Sequence, residues 1–139
     1  MRKLVCEKQR FIHFDQCDSA GIMYFAESFT LAHQLIEDFI ASSAIGWSAW
    51  FNHETLAFPL RYADCNYRYP LRAGEKCQLK LNITDLSYSS VTFSTKAYDN
   101  NKGVSYFEVT TIHTTLNKNT ESKDQFPKDF HTTFEYYIK

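Results

Sequence analysis

Apolar and polar positions change period along this chain of 139 residues, and each change marks an element. From Phe25 to about Ser42 the period is helical. Phe25, Phe29, Ala32, Ile36 and Phe39 recur at steps of four, three, four and three, and Leu35 and Ile40 widen the stripe. Glu27, Gln34 and Asp38 fall toward the other side, so the spacing predicts a long helix with one broad buried face. Further on the period drops to two. Cys77, Leu79, Leu81 and Ile83 alternate with Gln78, Lys80, Asn82 and Thr84; Val91, Phe93, Thr95 and Ala97 alternate with Thr92, Ser94 and Lys96. Val104 to Leu116 is rich in β-formers with apolar residues on both faces, which predicts a strand inside the sheet. Leu4 to about Phe14 reads as a first strand, and Leu60–Tyr69, bracketed by Pro59 and Pro70, as another. Asp99–Gly103 has hairpin-turn chemistry, Asn117–Thr120 turns again, and the tail around Pro127–Tyr137 reads as a short strand or helix. Between helix and sheet, Ala44–His53 reads as a loop whose Trp47, Trp50 and Phe51 need cover from the same or a second subunit.

Successive hairpins imply an antiparallel sheet, and one buried helix needs one sheet wrapped around it: an α+β arrangement. No repeat or linker interrupts the pattern, so residues 1–139 read as a single domain. Such a sheet has open edges, for which self-association is the natural remedy.

Composition narrows the function classes. Fifteen basic and sixteen acidic side chains leave a formal charge of −1 with no basic stripe, which argues against nucleic acid as a partner. No apolar run has the length of a membrane span, and Met1–Lys8 lacks the apolar stretch of a secretory signal, so the expected location is cytoplasmic. Cys6, Cys17, Cys65 and Cys77 are scattered without a C-x-x-C pair; reduced thiols are expected, with no metal and no cofactor. Aromatics at 17% suggest thick packing plus a flat apolar pocket or a subunit contact, core packing being the plainer role of any single ring.

The chemistry concentrates in one stretch. Asp18 and the small, flexible Ser19-Ala20-Gly21 directly precede the helical pattern. Backbone N–H groups at a helix start are unpaired and carry partial positive charge. A carboxylate beside them can attack a carbonyl, or activate water against it, while the amides hold the developing oxyanion. The plainer reading of Asp18 is a helix N-cap or an Asx-turn. Cys17 with His13, His33 or His53 is a weaker nucleophile-and-base candidate, His33 reads as a hydrogen-bonded helix histidine, and His113 belongs to a sheet face. Arg61, Arg68, Arg72 and Lys76 are the cations available to an anionic ligand or, more plainly, to solvent.

The run Asp18-Ser19-Ala20-Gly21-Ile22-Met23-Tyr24-Phe25-Ala26 resembles the active-site turn of hotdog-fold acyl-CoA thioesterases, in particular the 4-hydroxybenzoyl-CoA thioesterase-like family. Ala63-Asp64-Cys65-Asn66-Tyr67-Arg68-Tyr69-Pro70-Leu71-Arg72-Ala73-Gly74-Glu75 is similar to that family's aromatic-x-x-Pro-Leu-x-x-Gly-Asp/Glu segment, and Ser89-Ser90-Val91-Thr92-Phe93 to the start of its next strand. The resemblance implies a hotdog fold, an antiparallel sheet around one long central helix. It implies hydrolysis of an acyl-CoA thioester by Asp18, with the backbone N–H of Phe25 facing the thioester oxygen. It places Gly21, Tyr24, Ser89 and Ser90 at the substrate, Tyr24 being either a pocket wall or a packing ring, and implies a homodimer or homotetramer with sites at subunit boundaries. Two departures stand out: Gln16 occupies the place of a second acid, and no cation flanks Ser89-Ser90 in sequence. The aromatic richness favours an aromatic acyl group such as hydroxybenzoyl or dihydroxynaphthoyl. The alternatives are a short-chain aliphatic acyl-CoA thioesterase, a hotdog hydratase and a non-catalytic acyl-CoA-binding module.

Overall fold

The computed structural model describes residues 3–138; Met1, Arg2 and Lys139 lie outside the described residues. In chain order the elements are β1 (Cys6–Phe11), a single 3-10 turn (Phe14–Gln16), α1 (Glu27–Ser42), α2 (Trp47–Phe51), β2 (Leu56–Ala57), β3 (Leu60–Tyr67), β4 (Lys76–Leu86), β5 (Ser90–Asp99), β6 (Val104–Thr114), β7 (Leu116–Asn117) and α3 (Lys128–Ile138). Five strands form one sheet in the order β1-β4-β5-β6-β3, antiparallel at every pairing. β5 is central, and β6 lies inside the sheet as its two-faced pattern predicts.

α1 packs on one face of this sheet. Leu31, Ala32, Leu35, Ile36, Phe39 and Ile40 are buried against Leu79, Leu81 and Ile83 of β4, Val91, Phe93 and Ala97 of β5, and Phe107 and Val109 of β6. The alternating residues of β4 and β5 are those that face the helix. Burying each large aliphatic side chain stabilises the fold by about 1.5–3 kcal/mol, so this face accounts for much of the cohesion. One long helix wrapped by one antiparallel sheet is the hotdog architecture.

Boundaries differ from the sequence expectation in ways that have local causes. β1 stops at Phe11 rather than near Phe14, because the chain turns: His13 N–H donates to Gln16 Oε1 at 2.8 Å and closes the 3-10 turn. The helix starts at Glu27, two residues later than the apolar period. Tyr24 N–H is still pinned to the Gln16 carbonyl at 2.8 Å, and Phe25-Ala26 form a turn whose first hydrogen bond is Glu27 N–H to Tyr24 O at 2.9 Å. The aromatic loop contains a helix, α2, because Trp50 drops into the core and stacks on Phe58 with centroids 4.2 Å apart. The tail is a helix, whose Phe130 and Phe134 cap that aromatic cluster. The short β2–β7 pair carries no sequence signature.

Candidate functional site

The turn between β1 and α1 is held from three sides. Cys17 bridges Met23, Ile22 bridges Arg72, and Met23 N–H donates to the Leu71 carbonyl at 2.7 Å. Within it, Asp18 N–H bonds Ile22 O at 2.9 Å and Gly21 N–H bonds Asp18 O at 3.0 Å. Gly21 sits at φ +76°, a left-handed conformation that a residue with a Cβ rarely adopts, so this position closes the turn only as glycine.

Asp18 is not a helix cap: Ala26 holds the cap position and makes no side-chain bond. One carboxylate oxygen, Oδ1, accepts from Ala20 N–H at 2.9 Å and Ile22 N–H at 3.4 Å, an Asx-turn. The other, Oδ2, meets no donor among the described residues. The Asx-turn thus fixes the side chain by one oxygen, and Asp18 lines a cavity of about 520 Å³. Asp18, Ile22, Tyr24 and Phe25 line one side of this cavity, and Tyr67, Arg68, Tyr69 and Phe107 line the other.

Phe25 lies two residues before α1 instead of at its first turn, yet its N–H meets no acceptor among the described residues, and neither does that of Ala26. Its carbonyl, by contrast, is crowded. It accepts from the Tyr67 hydroxyl and from Ser28 Oγ at 2.8 Å, and the two hydroxyl oxygens lie 2.8 Å apart. A carbonyl held this way fixes the Phe25–Ala26 peptide plane and points the Ala26 N–H to the opposite side. The positive end of the α1 dipole lies at the same place.

The structure brings Asp18, Gly21, Tyr24 and Phe25 together. Tyr24 is half exposed and packs on the Phe25 ring at 4.7 Å, so it is at once a wall of the cavity and a packing ring. Ser89 and Ser90 are elsewhere, at the far end of β6, where Ser90 pairs with Thr114. Their N–H groups are taken by Ser87 Oγ at 3.2 and 3.0 Å. The absence of a flanking cation in sequence is offset in space: Ser90 shares a 260 Å³ cavity with Arg61 and Lys123. Of the other candidate cations, Arg68 reaches the Asp18 cavity and lies 3.7 Å from Glu108. Tyr67 and Ser28 have no local sequence signal for their role. Tyr67 stands in the aromatic run before Pro70, and only the fold brings this last residue of β3 to the Phe25 carbonyl.

The cysteine candidate fails on its own chemistry. Burial, with the Asp18 charge beside it, raises the pKa of the Cys17 thiol, and burial raises those of Cys6 and Cys65 and pushes Cys77 up to about 11. A nucleophilic thiol needs the opposite shift. His33 pairs with Glu37 at 3.0 Å, away from Cys17, as a hydrogen-bonded helix histidine. Among the described residues no cluster of three or more metal-ligating side chains occurs, and no helix is long and apolar enough to cross a membrane.

Residues 12–134 match the thioesterase-like superfamily, nearly the whole chain. The chain belongs to this superfamily. Among curated relatives of this thioesterase-family chain is the 1,4-dihydroxy-2-naphthoyl-CoA hydrolase of Crocosphaera subtropica, 28% identical over 109 residues, which cover 78% of this chain and 80% of that one. The enzyme of the same name from Synechococcus elongatus is 26% identical over 121 residues, 86% of this chain and 88% of that one. Solved structures agree on the fold. A 1,4-dihydroxy-2-naphthoyl-CoA thioesterase from Synechocystis superposes with a TM-score of 0.84 at 19% identity, covering 92% of this chain and 93% of the other. A Staphylococcus aureus protein solved in complex with CoA gives 0.87 at 17% identity, covering 99% and 85%.

Proposed function

We propose that this thioesterase-family chain hydrolyses an acyl-CoA thioester, with Asp18 as the reacting carboxylate and the Phe25 N–H as an oxyanion donor. The observation that carries this is the pairing of an unengaged carboxylate oxygen with an unengaged amide on the wall of one cavity. The curated relatives named as 1,4-dihydroxy-2-naphthoyl-CoA hydrolases favour a hydroxylated aromatic acyl group, in keeping with the aromatic richness of the chain.

In the nucleophilic form, Asp18 Oδ2 attacks the thioester carbon and the carbonyl oxygen gains its charge on the Phe25 N–H. Collapse breaks the C–S bond, expels the CoA thiolate and leaves a mixed anhydride. Water then cleaves the anhydride, releasing the acid and restoring the carboxylate; the thiolate takes up a proton. In the general-base form, Asp18 removes a proton from water and the hydroxide attacks the same carbon; collapse breaks the C–S bond, and the departing thiolate takes up the proton, restoring the carboxylate. A thiol of pKa roughly 8.5 leaves without a strong general acid, which suits a site with one carboxylate. We place the phosphates of CoA at Ser90, with Arg61 and Lys123 as their cations, and the assembly as a homodimer or homotetramer built on the exposed edge strand β3.

Asp18→Asn keeps the Asx-turn acceptor and removes the charge. Thiol release from a panel of aromatic and short aliphatic acyl-CoAs is expected to fall by about 10²–10⁴-fold in kcat, with aromatic substrates preferred by the wild type. Turnover near the wild-type rate rejects the assignment of Asp18, and a clear win by short aliphatic substrates rejects the aromatic preference.

A further inference from the structure

A second cavity, of about 460 Å³, opens between α1, α2 and the β2–β3 corner. It lies at the Leu60–His113 end of the β3–β6 pair, whereas Asp18 lies near the Tyr67–Phe107 end. Part of its wall is an aromatic stack. Trp50 and Phe58 stack within 14° of parallel, His113 stands edge-on to Trp50 at 5.9 Å, and His53 stands edge-on to Phe58 at 6.1 Å.

The two histidines give this cavity a defined polarity. His113 Nδ1 lies 3.0 Å from the Phe58 carbonyl. A carbonyl only accepts, so Nδ1 carries the proton and Nε2 is left as a bare acceptor. Burial lowers the pKa of His113, which keeps the ring neutral near pH 7. Nε2 meets no donor among the described residues, although the residue is nine-tenths buried. It is not one of the sealed, unpartnered side-chain atoms, which are Tyr106 Oη and Thr115 Oγ1, so it opens on the cavity that His113 lines. His53 has the opposite tautomer. Its Nδ1 accepts from Leu56 N–H at 3.0 Å and Thr55 N–H at 3.2 Å, which puts the proton on Nε2 and makes that nitrogen a donor.

We propose that this cavity recognises a flat aromatic ring bearing a phenolic hydroxyl, whose O–H donates to His113 Nε2 while a second oxygen of the ligand accepts from His53 Nε2–H. Lys118, on the cavity wall, supplies positive charge for an acid or acyl oxygen. Two sources carry this chemistry: the acyl part of a thioester whose reacting carbon lies at the Asp18 site of a second copy of the chain, since Asp18 of the same chain is at the other end of the β3–β6 pair, or the free hydroxyaryl acid that hydrolysis releases. The thioester source rests on the proposed hydrolase function; recognition of the hydroxylated ring does not.

Calorimetry with 1-hydroxy-2-naphthoate and 2-naphthoate tests the site on the intact chain. The hydroxylated acid is expected to bind about tenfold tighter or more, because a buried acceptor is left unpaired by its analogue. Ala57→Trp, which fills the cavity, should abolish binding of both. His113→Phe should reduce the preference to within about twofold, with folding checked by circular dichroism. Should that variant not fold, the ¹⁵N shift of His113 Nε2 in the wild type replaces it, moving with the hydroxylated acid and not with 2-naphthoate. Equal affinities for the two acids, binding that survives Ala57→Trp, or an Nε2 signal indifferent to the hydroxyl overturns the proposal. Kinetics separate the sources. A rise in KM confined to 1-hydroxy-2-naphthoyl-CoA in His113→Phe identifies the acyl group, and unchanged KM with weakened acid binding identifies the released acid; either outcome supports hydroxyl recognition. Asp18→Asn addresses hydrolysis alone and is expected to bind the acids as the wild type does.

Discussion

Tyr67 shows how a side chain outside the reacting group can set its surroundings. Its hydroxyl, together with Ser28 Oγ, holds the Phe25 carbonyl and so orients the peptide beside the proposed oxyanion site. Tyr67→Phe leaves the ring in place and removes one donor. We expect kcat for acyl-CoA hydrolysis to fall about tenfold with KM within about twofold; equal losses in both constants point instead to a disturbed substrate pocket. His113 acts on stability through the same buried position that makes it a ligand acceptor. Burial lowers its pKa, the Phe58 carbonyl opposes that in part, and the nearby His33 adds to the lowering. The unfolded chain therefore binds the proton more readily than the folded one. The stabilisation due to a neutral His113 is present above about pH 6.5 and is lost as pH falls through the lower, folded-state value. Urea midpoints measured from about pH 8 to about pH 5 should decline on the acid side, and decline less in His113→Gln.

At the scale of elements, α2 is a single buried anchor on a short helix. Trp50 is surrounded by Phe58, Phe126, Phe130 and Phe134, so this one ring joins α2, the β2–β3 corner and α3. Trp47, on the same helix, is half exposed, packs on the Phe51 ring and donates its indole N–H to Glu37 at 2.9 Å. Trp50→Ala is expected to cost about 3–5 kcal/mol in urea unfolding and Trp47→Ala about 1 kcal/mol or less. The same contrast explains what the pattern of residues conveyed. α1, β4 and β5 were legible because their burial is periodic within one element. α2 was not, because a five-residue helix offers no period to read and its formation depends on aromatic partners far along the chain.

For the whole molecule, β3 is the conspicuous feature. It pairs on one side only, and Leu60, Tyr62 and Tyr67 are each about half exposed. An unpaired edge carrying large apolar side chains is a surface suited to a second copy of the chain. Wild-type protein is expected to sediment as a dimer or tetramer, and Tyr62→Glu to shift it toward monomer; a monomeric wild type removes β3 from consideration as an interface.

The linear order of residues by itself determined the α+β class, the long buried helix, the alternating strands and the position of Asp18 before the helix. Each of these follows from local spacing, where side-chain direction is set by the helical or extended backbone. Tertiary structure alone decided which oxygen of Asp18 is held, that Phe25 precedes the helix, that Tyr67 reaches its carbonyl, and that Arg61 and Lys123 meet Ser90. It also decided the tautomers of His53 and His113. These depend on contacts between elements distant in the chain, and no local period records which distant groups the closing of a sheet over a helix will bring within a hydrogen bond of one another.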